Sequence, residues 1–248
     1  MRVGAHPGYP NLIPHASSLQ TSYLFMLPIL FEDNYLLAID KPVGLQSDKD
    51  RHRNPSVEGQ VADYFRKSFA WKKQLVVGLT HRLDRAVSGV LLIAKTPAAV
   101  KSLAAQFEVR SVGKFYLAIL ENCPPEDEKE LVHWIKKDDL QKRAIVVNPH
   151  TKASQECRLR YKVLQKKGEK CLVEIELLTG RYHQIRVQMS TIGCPVLGDE
   201  KYGGKPVKSD ISMIHLHSHR LAFDHPKTGE RMEVNAPLPN LGEWPAWK

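Results

Sequence analysis

The sequence predicts an α+β fold: a mixed, mostly antiparallel sheet with flanking helices. Three observations predict it. Short apolar or alternating runs, bounded by Gly, Pro and charged residues, recur along the 248 residues, as strands do. Helical patterns stand singly between them instead of following every strand. Several strands also lie close enough in sequence to pair as hairpins, which a doubly wound parallel sheet does not permit.

Residues 1–28 contain several Pro and Gly and no hydrophobic period, so they read as an extended or partly ordered arm. Residues 29–248 read as one domain, close to the ~250–300 residues at which single cores stop growing. Leu30-Phe31-Glu32 suggests a short strand and Tyr35–Ile39 a buried one, stopped by Lys41-Pro42-Val43-Gly44-Leu45 because Pro and Gly interrupt a ladder. Asn54-Pro55 looks like a helix start, with Val57, Val61, Phe65 and Phe69 on one face. Thr96-Pro97 opens a second helix whose Val100, Leu103, Ala104 and Phe107 face inward. Lys114–Leu120 is the next strand, and the Pro- and acid-rich residues 122–130 read as a loop.

The chain then turns basic from Lys136 to Lys170. Within that zone Leu159, Tyr161 and Val163 alternate with Arg158, Arg160 and Lys162, a half-buried strand with a cationic outer face. Such a face is either solvated or laid against phosphates. Val173, Ile175 and Leu177 give another strand. Ile185, Met189 and Ile192 give a helix ended by Gly193, with Arg186 at the edge of its apolar face and able to reach a partner in the interior. Gly198-Asp199 and Tyr202-Gly203-Gly204 are expected loops, and Ile214–Phe223 a last strand.

Net charge is +9, from 36 Lys+Arg against 27 Asp+Glu, which favours a polyanionic partner. The four cysteines form no C-x-x-C pair, which argues against a zinc ribbon or a disulfide scaffold. No apolar run is long enough to span a membrane, and the N-terminus lacks a signal-peptide core, so a cytoplasmic protein is expected. Hydrolase-elbow, P-loop and dinucleotide motifs are missing. His215, His217 and His219 alternate on one strand, but three such ligands spread over more than ~13 Å, too far for one ion. No metal is expected.

Chemistry concentrates in His81-Arg82-Leu83-Asp84-Arg85, a polar knot before the apolar run Val90–Ala94. Asp84 sits between two arginines that should keep it ionised, at the lip of a buried strand. It reads either as a nucleophile or base or as a turn-capping Asp paired with its neighbours.

Here H-R-L-D-R-A-V-S-G-V-L-L-I-A-K resembles the signature of the RluA-type pseudouridine synthases. Five further blocks in order resemble the same family: Asp40–Leu45, Lys114–Ala118, Thr179–Val187, Gly193–Asp199, and Leu216-His217 through Phe223–Pro226. Val87 stands where the family commonly has Thr, and Gln188 where it commonly has His. The resemblance implies a pseudouridine synthase-type catalytic domain with a central RNA-binding cleft. It implies isomerisation of a uridine in ribosomal or transfer RNA without a cofactor. Asp84 would be the catalytic carboxylate, Tyr116 the catalytic tyrosine that stacks on the uracil and is placed to take its C5 proton, and Arg186 the catalytic partner of the carboxylate. Ile185 would wall the pocket, Arg82 would fill the gap left by a flipped nucleotide, and His81, Arg181 and His183 would line the RNA site. The basic zone would hold phosphates. RNA is the partner this implies; no obligatory protein partner is expected, and a monomer is the default.

Overall fold

The computed structural model describes residues 27–52, 54–68, 75–207 and 213–247. Most of the expected arm, and Phe69, lie outside them. The first strands are β1 (Ile29–Glu32), β2 (Leu36–Lys41), β3 (Gly78–Leu79) and β4 (Ser88–Ala94), with helices α1 (Val57–Ser68) and α2 (Pro97–Glu108). There follow β5 (Gly113–Leu120), β6 (Glu128–Asp138), β7 (Arg143–Val146), β8 (Gln155–Lys167) and β9 (Lys170–Leu177). Helix α3 (Gln184–Thr191), β10 (Leu216–Asp224) and β11 (Arg231–Asn235) complete the set. The strands form one sheet in the order β1-β2-β4-β10-β5-β9-β8-β6-β7, with β3 on β4 and β11 on β10. Every named pairing is antiparallel except β4 with β10. The expected α+β sheet, mixed and mostly antiparallel, is what forms.

The core lies on both faces of the β2–β4 pair, which is why these strands read as continuous apolar runs and not as alternating ones. Leu37, Ile39, Leu91 and Ile93 pack on one side with Val57, Val61 and Phe65 of α1. The alternate residues Leu36, Ala38, Val90, Leu92 and Ala94 pack on the other with Ala99 and Leu103 of α2. Helix α2 starts where expected: Thr96 Oγ1 accepts the Ala99 N–H at 3.2 Å, with Pro97 behind it. Helix α1 starts two residues later than Asn54-Pro55 implies. Ser56 is its cap, Oγ accepting the Gly59 N–H at 3.2 Å.

Two departures concern the basic zone. β6 begins at Glu128, inside the expected loop, and pairs with β7 as an unforeseen hairpin. Its buried apolar residues, Leu131 and Ile135, stand four apart, so the alternation that marks a strand is hidden.

The parallel β4–β10 contact depends on Gly89, whose φ is 110°. A Cβ there would stand 2.2 Å from the Ser218 carbonyl oxygen. Gly89→Ala therefore forces both an unfavourable φ and the separation of two central strands. We expect a loss of more than ~3 kcal/mol, read as a fall in the urea midpoint or as insoluble protein.

Candidate active site

Asp84 lies in the turn between β3 and β4, where its carbonyl accepts the Val87 N–H at 3.0 Å. Its neighbours do not hold it, contrary to the sequence expectation. Arg82 is exposed and pairs with Asp48 at 3.0 Å, and Arg85 Nε donates to the Gly44 carbonyl at 2.9 Å. The partner comes from α3: Arg186 Nη1 donates to Asp84 Oδ2 at 2.9 Å, across 102 residues of sequence. In a turn, adjacent side chains diverge, so chain proximity to Arg82 and Arg85 was a poor guide.

Arg186 is itself clamped. Its Nε and Nη2 donate to the two oxygens of Asp199 at 2.6 and 2.8 Å, a fork-on-fork geometry, and its guanidinium lies 5.0 Å from the Tyr202 ring centre. Burial works to discharge this arginine. The hydrogen bonds and charge of Asp199, then those of Asp84, overcome that and drive its pKa up. Asp199 is 1% exposed, so the guanidinium has one edge fixed in the interior and its Nη1 left to aim at Asp84. Asp199 follows Gly198, whose φ of 85° turns the chain. Both Asp199 and Tyr202 fall in segments expected only as loops; a short 3-10 turn spans Glu200–Tyr202. The G-D pair of the fifth block was their one sequence signal.

His183 precedes α3 with a left-handed φ of 52°. Its Nδ1 meets the Tyr202 hydroxyl at 2.9 Å, and that hydroxyl accepts the Ala144 N–H at 2.6 Å. With the Tyr202 proton directed to Nδ1, the ring proton sits on Nε2, which stands 3.5 Å from Asp84 Oδ2. Burial lowers the His183 pKa to about 4, against the upward pull of Asp84. At neutral pH it is a neutral donor facing the carboxylate.

Tyr116 lies on β5, buried with Ile185, Leu83 and Val87 in the same apolar cluster. Burial pushes its phenol up to about 12, opposed by a hydrogen bond with Ser218 and aided by the charge of Asp84. Ile185, the residue before Arg186, belongs to that cluster. Lys41, from the first of the resembling blocks, is fully buried nearby and donates to the carbonyls of Pro42 (2.8 Å) and Leu45 (2.7 Å). Burial draws its pKa down to about 7, against Asp84 and Asp40. It ties the loop before α1 to the Asp84 turn.

Other expected residues are held by contacts to the scaffold. His81 turns away from Asp84: its Nε2 accepts the Leu92 N–H at 2.9 Å and its ring stacks on Phe107. Gln188 donates to the Leu131 carbonyl at 3.2 Å and Gln184 to that of Arg158 at 3.0 Å, fixing α3 to β6 and β8. Arg181 Nε reaches the Glu156 carbonyl at 3.4 Å. The strand histidines are committed to Leu197 O, Ser88 Oγ and Ala236 O. The basic zone is less cationic than its sequence: Arg158 and Arg160 pair with Glu130, Lys166 with Asp127 and Lys170 with Glu243.

His81, His183 and His217 share one consequence. Burial lowers each to about 4 from 6.5. Between those values the unfolded chain binds protons that the folded chain refuses, so stability falls as pH drops from about 6.5 to 4. We expect a loss of up to ~1.4 kcal/mol per pH unit for each ring, partly offset by the Asp40 carboxyl, which burial pushes up to about 6, and seen as a fall in Tm across that window.

A family model described as RNA pseudouridylate synthase matches residues 35–191. Ribosomal large subunit pseudouridine synthase C of Buchnera aphidicola (subsp. Schizaphis graminum) is 35% identical over 218 residues, covering 85% of this chain and 67% of that protein. The protein of that name from Yersinia pestis is 34% identical over 219 residues, with coverages of 86% and 66%. An uncharacterized RNA pseudouridine synthase, YlyB of Bacillus subtilis, is 33% identical over 215 residues, with coverages of 86% and 69%. The chain thus spans about two thirds of the length of these relatives. Among solved structures, human RNA pseudouridylate synthase domain containing 1 superposes with a TM-score of 0.70 at 25% identity, over 90% of this chain and 88% of that one. Human RNA pseudouridylate synthase domain containing 4 gives 0.70 at 24% identity, over 86% and 89%.

Proposed function

The chain belongs to the RNA pseudouridylate synthase family, isomerases of uridine in RNA, and we propose that Asp84 is the carboxylate on which its isomerisation turns. The observation that carries this is the Asp199–Arg186–Asp84 chain, in which a buried carboxylate fixes a guanidinium that fixes a half-exposed carboxylate. Fixed geometry of that kind is what a reacting group needs.

The reaction breaks C1′–N1, turns the uracil and forms C1′–C5; N1 gains a proton and C5 loses one. Atoms and oxidation state balance within the substrate. Asp84 is the group that meets the nucleoside at C1′, C2′ or C6, with Arg186 and the His183 Nε2–H sharing its charge. Leu83, Val87 and Ile185 supply an apolar wall that keeps water from the detached base. Tyr116 presents an aromatic face to the uracil. Burial holds it as a phenol, which favours stacking over service as a tyrosinate base at neutral pH. Arg82 takes the place of the extruded nucleotide in the RNA stack. Its exposed pair with Asp48 is worth only ~0.2–1 kcal/mol, so it yields readily, and the guanidinium plane offsets part of the few kcal/mol of lost stacking.

The names of two relatives specify the ribosomal large subunit. Large-subunit ribosomal RNA is therefore the first substrate to test, with transfer RNA the alternative. The test is release of tritium from C5-labelled uridine in RNA isolated from cells lacking the gene, followed by mapping of the product. Release from ribosomal RNA at one site supports the reading; no release from either RNA class removes it.

A further inference from the structure

A groove of about 410 Å³ is lined in part by Arg110, Ser111, Lys114, Phe115 and Leu178. We propose that Lys114, with Arg110 and Arg181, clamps an RNA phosphate adjoining the nucleotide held at Asp84. This rests on the reading of the substrate as RNA and adds to it a specific backbone contact.

Placement carries the inference. Lys114 and Tyr116 lie two apart on β5, so they project from the same face with about 7 Å between their Cα atoms. A cation therefore stands one short step along the strand from the ring proposed to meet the uracil, on the scale of a single nucleotide. The Lys114 ammonium lies against the turn that leads into α3: a Cβ built at Gly180 would be 3.7 Å from its Nζ. That turn continues through Arg181 to His183, which faces Asp84. Arg110, at the end of α2, holds a left-handed φ of 60° and lines the same groove.

The charges are uncompensated. Those that reach Lys114 belong to Arg110 and Arg181, both of its own sign, and burial with this repulsion lowers its pKa. Among the described residues no carboxylate is paired with any of the three. Glu176, which lines the groove, is engaged by Arg160 at 3.4 Å. Farther along, Arg220 and Arg231 are taken by Glu233 and Asp224. Where β8 pairs its arginines with glutamates, Lys114 feels the like charges of Arg110 and Arg181 with no carboxylate paired to it among the described residues. Such a cluster is costly in the free protein and favourable once an anion enters.

The test is anisotropy of a 5′-labelled oligouridylate titrated at several salt concentrations. Lys114→Gln is expected to weaken binding about tenfold at moderate salt and to lower the slope of log K against log salt by about 0.7, the value for one phosphate contact on a single strand. The triple change of Arg110, Lys114 and Arg181 to Gln should weaken binding further, with the slope still lowered by only about 0.7, because all three meet the same phosphate. Lys114→Arg should restore both, and Lys227→Gln, at an exposed lysine on the β10–β11 turn, should leave both as in the wild type. A wild-type slope in Lys114→Gln, or an equal drop in Lys227→Gln, overturns the clamp. Tritium release by the same wild-type preparation separates the two readings. Release with an unchanged Lys114→Gln slope sinks only the clamp; a Lys114-dependent slope without release sinks only the isomerase.

Discussion

Asp84→Asn is expected to cut tritium release by ~10³-fold or more, the scale seen when a reacting group is removed from a prearranged site. The fold should survive. The amide that replaces the carboxylate keeps an oxygen for the Arg186 N–H, and Arg186 remains paired with Asp199 through two hydrogen bonds. Tm should therefore move by only a few degrees, and RNA binding should persist. That combination, bound but silent, distinguishes a catalytic carboxylate from a turn-forming one. Activity within tenfold of wild type in a folded Asp84→Asn would exclude Asp84 from the chemistry and point to another group in the cleft.

Arg186→Met should be the most destabilising change at the site. It leaves the 1%-exposed Asp199 without its counter-charge, and breaking a buried pair from one side costs about 3–5 kcal/mol. For a domain of this size that is a Tm fall of ~10 °C. Turnover should vanish as well, because nothing then orients Asp84. The double change Arg186→Met with Asp199→Leu removes both charges and should recover most of the stability but none of the activity. An Arg186→Met protein as stable as wild type would mean that the guanidinium is not holding Asp199 in solution.

What sequence could supply follows from the range of the forces involved. Strands and helices whose burial is periodic were legible: the run Val90–Ala94, the face Val57–Val61–Phe65, and the Thr96-Pro97 cap all fold as their local pattern implies. So was the reach of Arg186, because the first turn of an amphipathic helix points edge residues at whatever its apolar face packs on. The β6–β7 hairpin was hidden because only Leu131 and Ile135 of β6 are deeply buried. The pairing of Arg186 with Asp84 came from the resemblance, but the other groups around the two were hidden for a different reason. Asp199, Tyr202 and Lys41 become neighbours only after the sheet closes, and nothing within a few residues of Asp84 names them. Local charge even misdirected: Arg82 and Arg85 are adjacent in sequence and turn elsewhere. The same applies to the basic zone, where counting lysines and arginines overlooked Glu130 and Glu176 across the strands.

The parallel pairing of β4 with β10 also sets a timetable for the chain as it is made. β4 is the most continuously apolar strand, and the neighbour that covers one of its edges arrives only with residues 217 and 218. Ser88 and His217, which hydrogen-bond across that seam, are 129 residues apart. Until residues 217 and 218 have left the ribosome, β4 has β2 on one side and little more than the two-residue β3 on the other. Contacts this distant close slowly, and an open apolar strand edge is a template for self-association. The demand for a chaperone should thus last until β10 emerges, and truncations that stop before β10 should aggregate even though they contain Asp84, Tyr116 and Arg186 in full.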